Sequence, residues 1–374
     1  MCVHMSVSAQ NGAAEMLSKL LQEALESERD FEAHLAPKIC VVGCGGGGSN
    51  SVHRINGVGL EGVDTIAMNT DKYHLAQVKA DKRLLLAERS TGGYGTGGNA
   101  ELGEKVAYEF ADEIEAAVKP YDIVFITAGM GGGTGTGTAP VVAELARRHG
   151  AVSVALVTIP FDIEKSRFKT AFRGVAKLRE HAHSTILLDN NKLLEIVPKL
   201  PVEQAFMVMD QLIVEVVKGI TETICQTSMI NLDFADFRNI MIQGGASTVL
   251  YAENEDAEKV VTEAITNPLL DFDFEGASGA MIHITGGPSL SLRKAYEVLN
   301  GVTERLSDAA HIKFGARVDP DLGSTIKLMA IVTGVKSPRL PDHACISSRD
   351  NATAWNGSDD VVETRQNPFA RVSG

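Results

Sequence analysis

Apolar positions along this chain fall into short continuous runs and longer periodic ones. "KICVVGC" (38–44), "VDTIAMNTD" (63–71), "YDIVFITAG" (121–129), "AVSVALVTIPF" (151–161) and "HSTILLDN" (183–190) are of the first kind. Such runs, bounded by glycine or polar residues, predict strands buried on both faces. "SNSVHRI" (49–55), with Ser49 or Asn50 placed to open a helix, and "TAPVVAELARRHG" (138–150) are helical stretches between them. Strands alternating with helices predict βαβ units, a parallel sheet and helices on both of its faces. In such sheets ligands sit beyond the carboxyl ends of the strands.

"VEQAFMVMDQLIVEVVKGITETIC" (202–225) repeats apolar residues at helical spacing, with Val208 and Val214 on other faces. A helix apolar nearly all round belongs between two masses. At 1.5 Å per residue it runs about 36 Å, the dimension of a spine. Further strand and helix signals follow, from "GGASTVLYA" to "TIKLMAIVTGV". The ends differ from this body. "EMLSKLLQEALESERDFEAHL" (15–35) carries one leucine face, either packed on the body or open to a partner, and the polar last forty residues or so lack periodicity. The reading divides the chain into a helical extension (1–36), a first α/β domain (37–201), a central helix (202–230), a second α/β domain (231–335) and a disordered tail (336–374). The tail's "NPFARVSG" is either inert or a short peptide ligand.

Composition narrows the class. Hydrophobic residues at 44% and charged residues at 22% of 374 are those of a globular chain with a sizeable core. A net charge of −13, with no Lys/Arg stripe, disfavours nucleic acid as a partner. Cysteines at 2, 40, 44, 225 and 345 show no CxxC spacing and are odd in number, which fits free thiols better than a disulfide frame or a zinc site. No apolar run reaches the roughly 18 residues that span a bilayer, and no signal peptide pattern opens the chain. The expectation is a cytoplasmic protein without direct membrane insertion.

The chemistry lies in two glycine runs, "GCGGGG" (43–48) and "GMGGGTGTG" (129–137), both at predicted strand ends. The first satisfies G-x-G-x-x-G at Gly43, Gly45 and Gly48, a dinucleotide fingerprint in isolation and otherwise a tight strand-to-helix turn. Bare backbone N–H groups at a helix N-terminus favour a phosphate. A dinucleotide site needs one such turn; two converging loops, with the Thr134 and Thr136 hydroxyls, suit a chain of phosphates. No G-x-x-x-x-G-K-[ST] is present, so backbone amides and a metal ion must do what a P-loop lysine does elsewhere. An NAD-dependent oxidoreductase would want an acid at the end of the second strand, where Asn69 stands, although Asp71 is near.

"GMGGGTGTG" resembles the signature loop of the tubulin/FtsZ superfamily. "NTD" (69–71), "GYGTGGNAELG" (93–103), "PFDIEKSR" (160–167), "NNKLLEIVP" (190–198), "INLDFADF" (230–237), "TNPLL" (266–270) and "ITGG" (284–287) stand in the order found in FtsZ. The similarity covers about residues 37–335, and the "GCGG" start resembles archaeal members. It implies a Rossmann-like GTP-binding domain, the central helix and an activation domain, assembled head to tail into protofilaments for cell division. By matching motifs, Gly46, Gly47, Gly48, Ser49 and Asn50, with Gly131, Gly132, Gly133, Thr134, Gly135, Thr136 and Gly137, would cradle the phosphates. Asn69, Asp71, Gly97, Gly98 and Asn99 would flank the triphosphate and its Mg²⁺. Glu164 would bond the ribose beside Arg167, and Asn190 and Asp210 would read guanine with Phe206 against the ring. Asn231, Asp233 and Asp236 would enter the next subunit's pocket, the two acids orienting the water that attacks the γ-phosphate of GTP to leave GDP. The partners implied are the chain itself, a paralogue, and a membrane anchor through the tail.

Residue chemistry alone leaves other readings for some of these. Phe206 and Asp210 are i and i+4, a shared helix face, yet an aromatic there also fits a core. Asp233 also fits a helix N-cap. Four positions depart from the family pattern: Gly92 in place of a common arginine, one residue fewer between Glu164 and Arg167, Asp189 in place of a common proline, and Ser228 in place of a glycine. Gly92 and the shortened loop keep open an alternative, a GTP-binding scaffold or regulator with weak hydrolysis.

Overall fold

The computed structural model describes residues 36–86, 91–225, 230, 232–242, 246–266 and 275–335. The expected N-terminal helix, Ser228, Asn231 and the tail from 336 lie outside them. Ten strands run in chain order as β1 (Ile39–Cys44), β2 (Val63–Asn69), β3 (Lys82–Leu85), β4 (Ile123–Gly129), β5 (Val152–Ile159), β6 (Ser184–Asp189), β7 (Ala246–Asn254), β8 (Gly279–Gly286), β9 (His311–Val318) and β10 (Ile326–Thr333). They make one mixed sheet in the order β3-β2-β1-β4-β5-β6-β7-β10-β8-β9. Only β10 runs against its neighbours, β7 and β8.

The apolar runs form strands because both faces are covered. All six residues of β1 are buried, as are all six of β6. Ile39 and Val41 face one core with Val52 and Ile55, whereas Cys40 and Val42 face another with Val141, Val142 and Leu145. The period of two along a pleated strand splits one continuous run between two cores. The short β3 escaped the sequence reading because its "KRLL" is half charged and half apolar. It is an edge strand, where charge blunts further pairing.

The helices among the described residues are α1 (Gly45–Val58), α2 (Lys72–Gln77), α3 (Ala100–Glu109), α4 (Ala111–Val118), α5 (Thr134–Arg148), α6 (Lys165–His181), α7 (Asn191–Ile196), α8 (Val202–Cys225), α9 (Phe234–Ile242), α10 (Ala257–Ile265) and α11 (Leu292–Thr303). The start of α1 corrects the expected opening at Ser49 or Asn50. It begins at Gly45 after Cys44, with no side-chain cap. The glycines are therefore its first turn, and the N–H groups that lack intrahelical partners belong to them.

The 24-residue α8 is the predicted spine. Its Met209, Ile213, Val216, Val217 and Ile220 share one core with Val154 and Leu156 of β5 and with Val249, Met281, Met329 and Ile331 beyond. A Cβ at Gly219 would lie 2.2 Å from Met329 Sδ, so β10 approaches α8 closely there. The expectation of burial along its whole length fails at the start, where Phe206 is 41% exposed and Met207 42%. Those first turns border a cavity rather than a core. Among the described residues the two halves of the sheet meet through β6 and β7 at Thr185↔Ala246 and Ile186↔Ser247. The helix packs against both halves.

Candidate functional site

A cavity of about 580 Å³ opens beyond the carboxyl ends of β1, β2, β4, β5 and β6. Its floor is the two glycine runs in contact. A Cβ on Gly45, whose φ is +69°, would sit 2.6 Å from Gly135 N, and one on Gly135 would sit 2.9 Å from Cys44 O. Two helix N-termini thus converge, α1 from Gly45 and α5 from Thr134, and neither has a side-chain cap. Uncapped N–H groups and two aligned dipoles make one end of the cavity a site for anionic oxygens.

Gly46, Gly47, Asn50, Asn69, Asp71, Gly97, Gly98, Gly132, Gly133, Thr134 and Gly135 all line this end. Thr134 is held by the hydroxyl of Thr70 at 2.6 Å, with Thr96 Oγ1 at 3.4 Å. Asp71 has a local duty, capping α2 by accepting from Tyr73 N and His74 N. The remaining members of the predicted cradle lie behind it. A Cβ on Gly48 would meet Thr127 O at 2.1 Å, and one on Gly137 would meet Glu104 N at 2.3 Å. Gly131 N donates to Thr136 Oγ1 at 2.8 Å, which ties the loop to its own helix. Asn99 caps α3 through Leu102 N. Ser49 is wholly buried, and its Oγ has no hydrogen-bond partner.

The opposite end is built for a planar, hydrogen-bonding group. Phe206 and Asp210 project from the same face of α8, with Phe206 edge-on to Phe161 at 5.9 Å between centroids. Ser51 Oγ donates to Asp210 Oδ1 at 2.6 Å. Burial pushes the Asp210 carboxyl above its ordinary range, against the opposing pull of Ser51 and Arg54. Asn190 is buried at 7% exposure and its Oδ1 has no partner within the chain. Asp189, the residue in place of a common proline, holds this turn by accepting from Asn191 N at 2.9 Å and Asn191 Nδ2 at 2.7 Å. Between the two ends, Glu164 pairs with Arg167 and accepts from Phe161 N at 3.2 Å; both partners line the cavity.

Sequence reading missed His74 and Ser51. His74 bridges Asn50 Oδ1 at 3.0 Å and Asn69 Nδ2 at 3.2 Å, joining α1 to the end of β2. Ser51 stands four residues after Gly47, one helical turn along the same face, which is the signal that marks it. Gly92 adopts φ +62°, a conformation an arginine takes only with strain. Asp233 and Asp236 are apart from the cavity. Asp233 Oδ1 accepts from Asp236 N at 2.7 Å, the capping bond of α9, and Asp236 Oδ1 pairs with Lys313.

Residues 38–198 match the model of the Tubulin/FtsZ family GTPase domain, and residues 240–336 match that of the FtsZ family C-terminal domain. The chain belongs to the FtsZ family. Cell division protein FtsZ 2 of Methanocaldococcus jannaschii is 46% identical over 336 residues, covering 87% of this chain and 88% of that protein. FtsZ 2 of Halobacterium salinarum is 48% identical over 307 residues, 81% and 78% of the two chains. A solved FtsZ dimer of M. jannaschii superposes with a TM-score of 0.76 at 41% identity, covering 87% of this chain and 97% of that one. Membership of the family's GTPase domain implies GTP/GDP binding, and the cavity fits it: an amide-lined floor at one end, and the Asp210 carboxyl with an unpartnered Asn190 Oδ1 at the other. Among the described residues, no helix is long and apolar enough to cross a membrane.

Proposed function

We propose that this chain hydrolyses GTP only when assembled head to tail into protofilaments that serve cell division. The observation that carries this reading is the separation of its parts. The cavity is lined by the two glycine runs at one end and by Asn190, Phe206 and Asp210 at the other, whereas Asp233 and Asp236 stand outside it, the first exposed and the second partly so. In the proposed complex, amides of Gly46, Gly47 and Gly132 to Gly135 hold the phosphates. Asp210 accepts from guanine N1–H and N2–H₂, a donor pair that adenine does not present. Phe206 covers the base and Glu164 bonds the ribose. Asp233 and Asp236 of the neighbouring copy orient a water for attack on the γ-phosphorus, whose bond to the bridging oxygen breaks to give GDP and phosphate.

Among the described residues, no group of three His, Cys, Asp or Glu side chains could cage a metal. On this reading Mg²⁺ would ride on the phosphates beside Asn69 and Asp71 and supply charge neutralisation there. Two further partners belong to the proposal. M. jannaschii has both an FtsZ 1 and an FtsZ 2 among the relatives, at 42% and 46% identity, which supports co-assembly with a paralogue. Placement at the division site would then need an anchor protein, engaged through the 367–374 peptide.

Hydrolysis per molecule, measured against protein concentration with Mg²⁺, tests the shared site. The wild-type rate should rise with concentration. Asp236→Ala should lower it by at least about 10²-fold, the scale of a lost acid–base or water-orienting group, with GTP binding retained. A flat, negligible wild-type rate beside tight binding would favour the scaffold alternative; no GTP binding would sink both.

A further inference from the structure

The α9 acids have a companion from another element. Lys313 of β9 places Nζ 2.7 Å from Asp236 Oδ1, with side-chain exposures of 51% and 22% for the two partners. Asp236, and less strongly Asp233, hold the Lys313 ammonium above its ordinary range.

A lysine on β9 has an ordinary explanation, because β9 is the outermost strand of the sheet and lysines blunt such edges. As a surface ion pair it also adds little to folding. Charge accounting points further. Two carboxylates brought beside a triphosphate meet like charge, and in a water-poor interface that repulsion is weakly screened. Lys313 takes the net charge of the entering cluster from −2 to −1. It also restricts Asp236, whose backbone N–H is already tied to Asp233.

We propose that Lys313 is a positioning residue of the assembled site: it enters the interface with Asp236, fixes the direction of that carboxylate and offsets the repulsion between the α9 acids and the neighbour's phosphates. The inference rests on the reading that Asp236 completes the neighbouring pocket.

Critical concentration by sedimentation, and GTP hydrolysis against protein concentration, test it on the full chain as wild type, K313R, K313M, K313E and D236A. K313M should lower polymer-linked hydrolysis by roughly 10- to 100-fold, the scale of a displaced catalytic group. K313R should restore it to within about threefold, and K313E should be worst and should raise the critical concentration. Equilibrium GTP binding should be the same in all five. K313E separates the two roles of the lysine, since glutamate also charges the strand edge. If K313M aggregates while K313E hydrolyses like wild type, Lys313 is an edge blocker and the proposal falls. If D236A is inactive while K313M and K313E hydrolyse normally, the proposal falls and the shared-site reading stands. If D236A itself hydrolyses normally, both fall.

Discussion

The cavity and the α9–β9 end are built on opposite plans. At the cavity the backbone does the work. Two glycine runs press together until a Cβ at Gly45 or Gly135 would come within 3 Å of the other run, and Thr134 and Asp210 are already bonded to Thr70 and Ser51. At the other end the site is made of side chains, Asp233 and Asp236 of α9 with Lys313 of β9. One region is a cavity lined by backbone, whereas the other is a cluster of side chains outside it. On the proposed reading, a site divided in this way would keep binding as a property of the monomer and leave chemistry to the assembly.

The comparison breaks most visibly at the glycines. Gly48→Ala would drive a Cβ to 2.1 Å from Thr127 O, a backbone atom that cannot move aside. We expect a loss of about 3 kcal/mol or more, read as a melting temperature lower by roughly 5 °C or more. Gly46→Ala, with nothing within 4 Å of its Cβ, should melt close to wild type. Equal melting of the two variants would show that the floor is not close-packed.

A smaller effect sharpens the difference between binding and chemistry. Asp210→Asn should weaken GTP roughly 10- to 100-fold, the range for hydrogen bonds to a charged acceptor, where Asp236→Ala leaves affinity alone. Burial raises the Asp210 carboxyl, so wild-type affinity should begin to fall with acidification above the ordinary carboxylate range. Titration calorimetry across pH should find that fall missing in Asp210→Asn.

A pH-dependent effect concerns His283 of β8, beside the β9 edge. Burial, aided by Arg317 and Lys327, depresses its imidazole from 6.5 to about 4. The unfolded chain takes up a proton below pH 6.5 that the native chain refuses until about pH 4. Stability is therefore held above that window and lost as pH falls through it, at about 1.4 kcal/mol per pH unit for one group. Denaturant unfolding of His283→Gln should show a shallower acid slope than wild type; an unchanged slope would place the acid sensitivity elsewhere, with the half-buried His183 the next such imidazole.

Much of this molecule was legible before its structure. The apolar runs of β1, β4, β5 and β6 and the period of α8 follow from local sequence, because burial on both faces or on a helical stripe is written in consecutive residues. The need for absent side chains at two strand ends is equally local. What each glycine is for was not. Gly46 and Gly47 line the cavity, whereas Gly48 and Gly137 make room for neighbouring backbone. All four look alike in sequence, since their roles depend on what stands opposite. Asp71 reads as a ligand to phosphate and metal, and the structure gives it a helix to cap as well.

By itself, then, the sequence determined the βαβ order, the spine and the chemical character of the two glycine loops, all of which depend on neighbours within a few residues. Tertiary structure alone decided the rest. It set Ser51 against Asp210 across 159 positions and brought Lys313 of an edge strand to Asp236 of a distant helix. It also paired β6 with β7 and packed one long helix against both halves of the sheet. Contacts of that span are chosen by the packing of whole elements, and no local pattern records them.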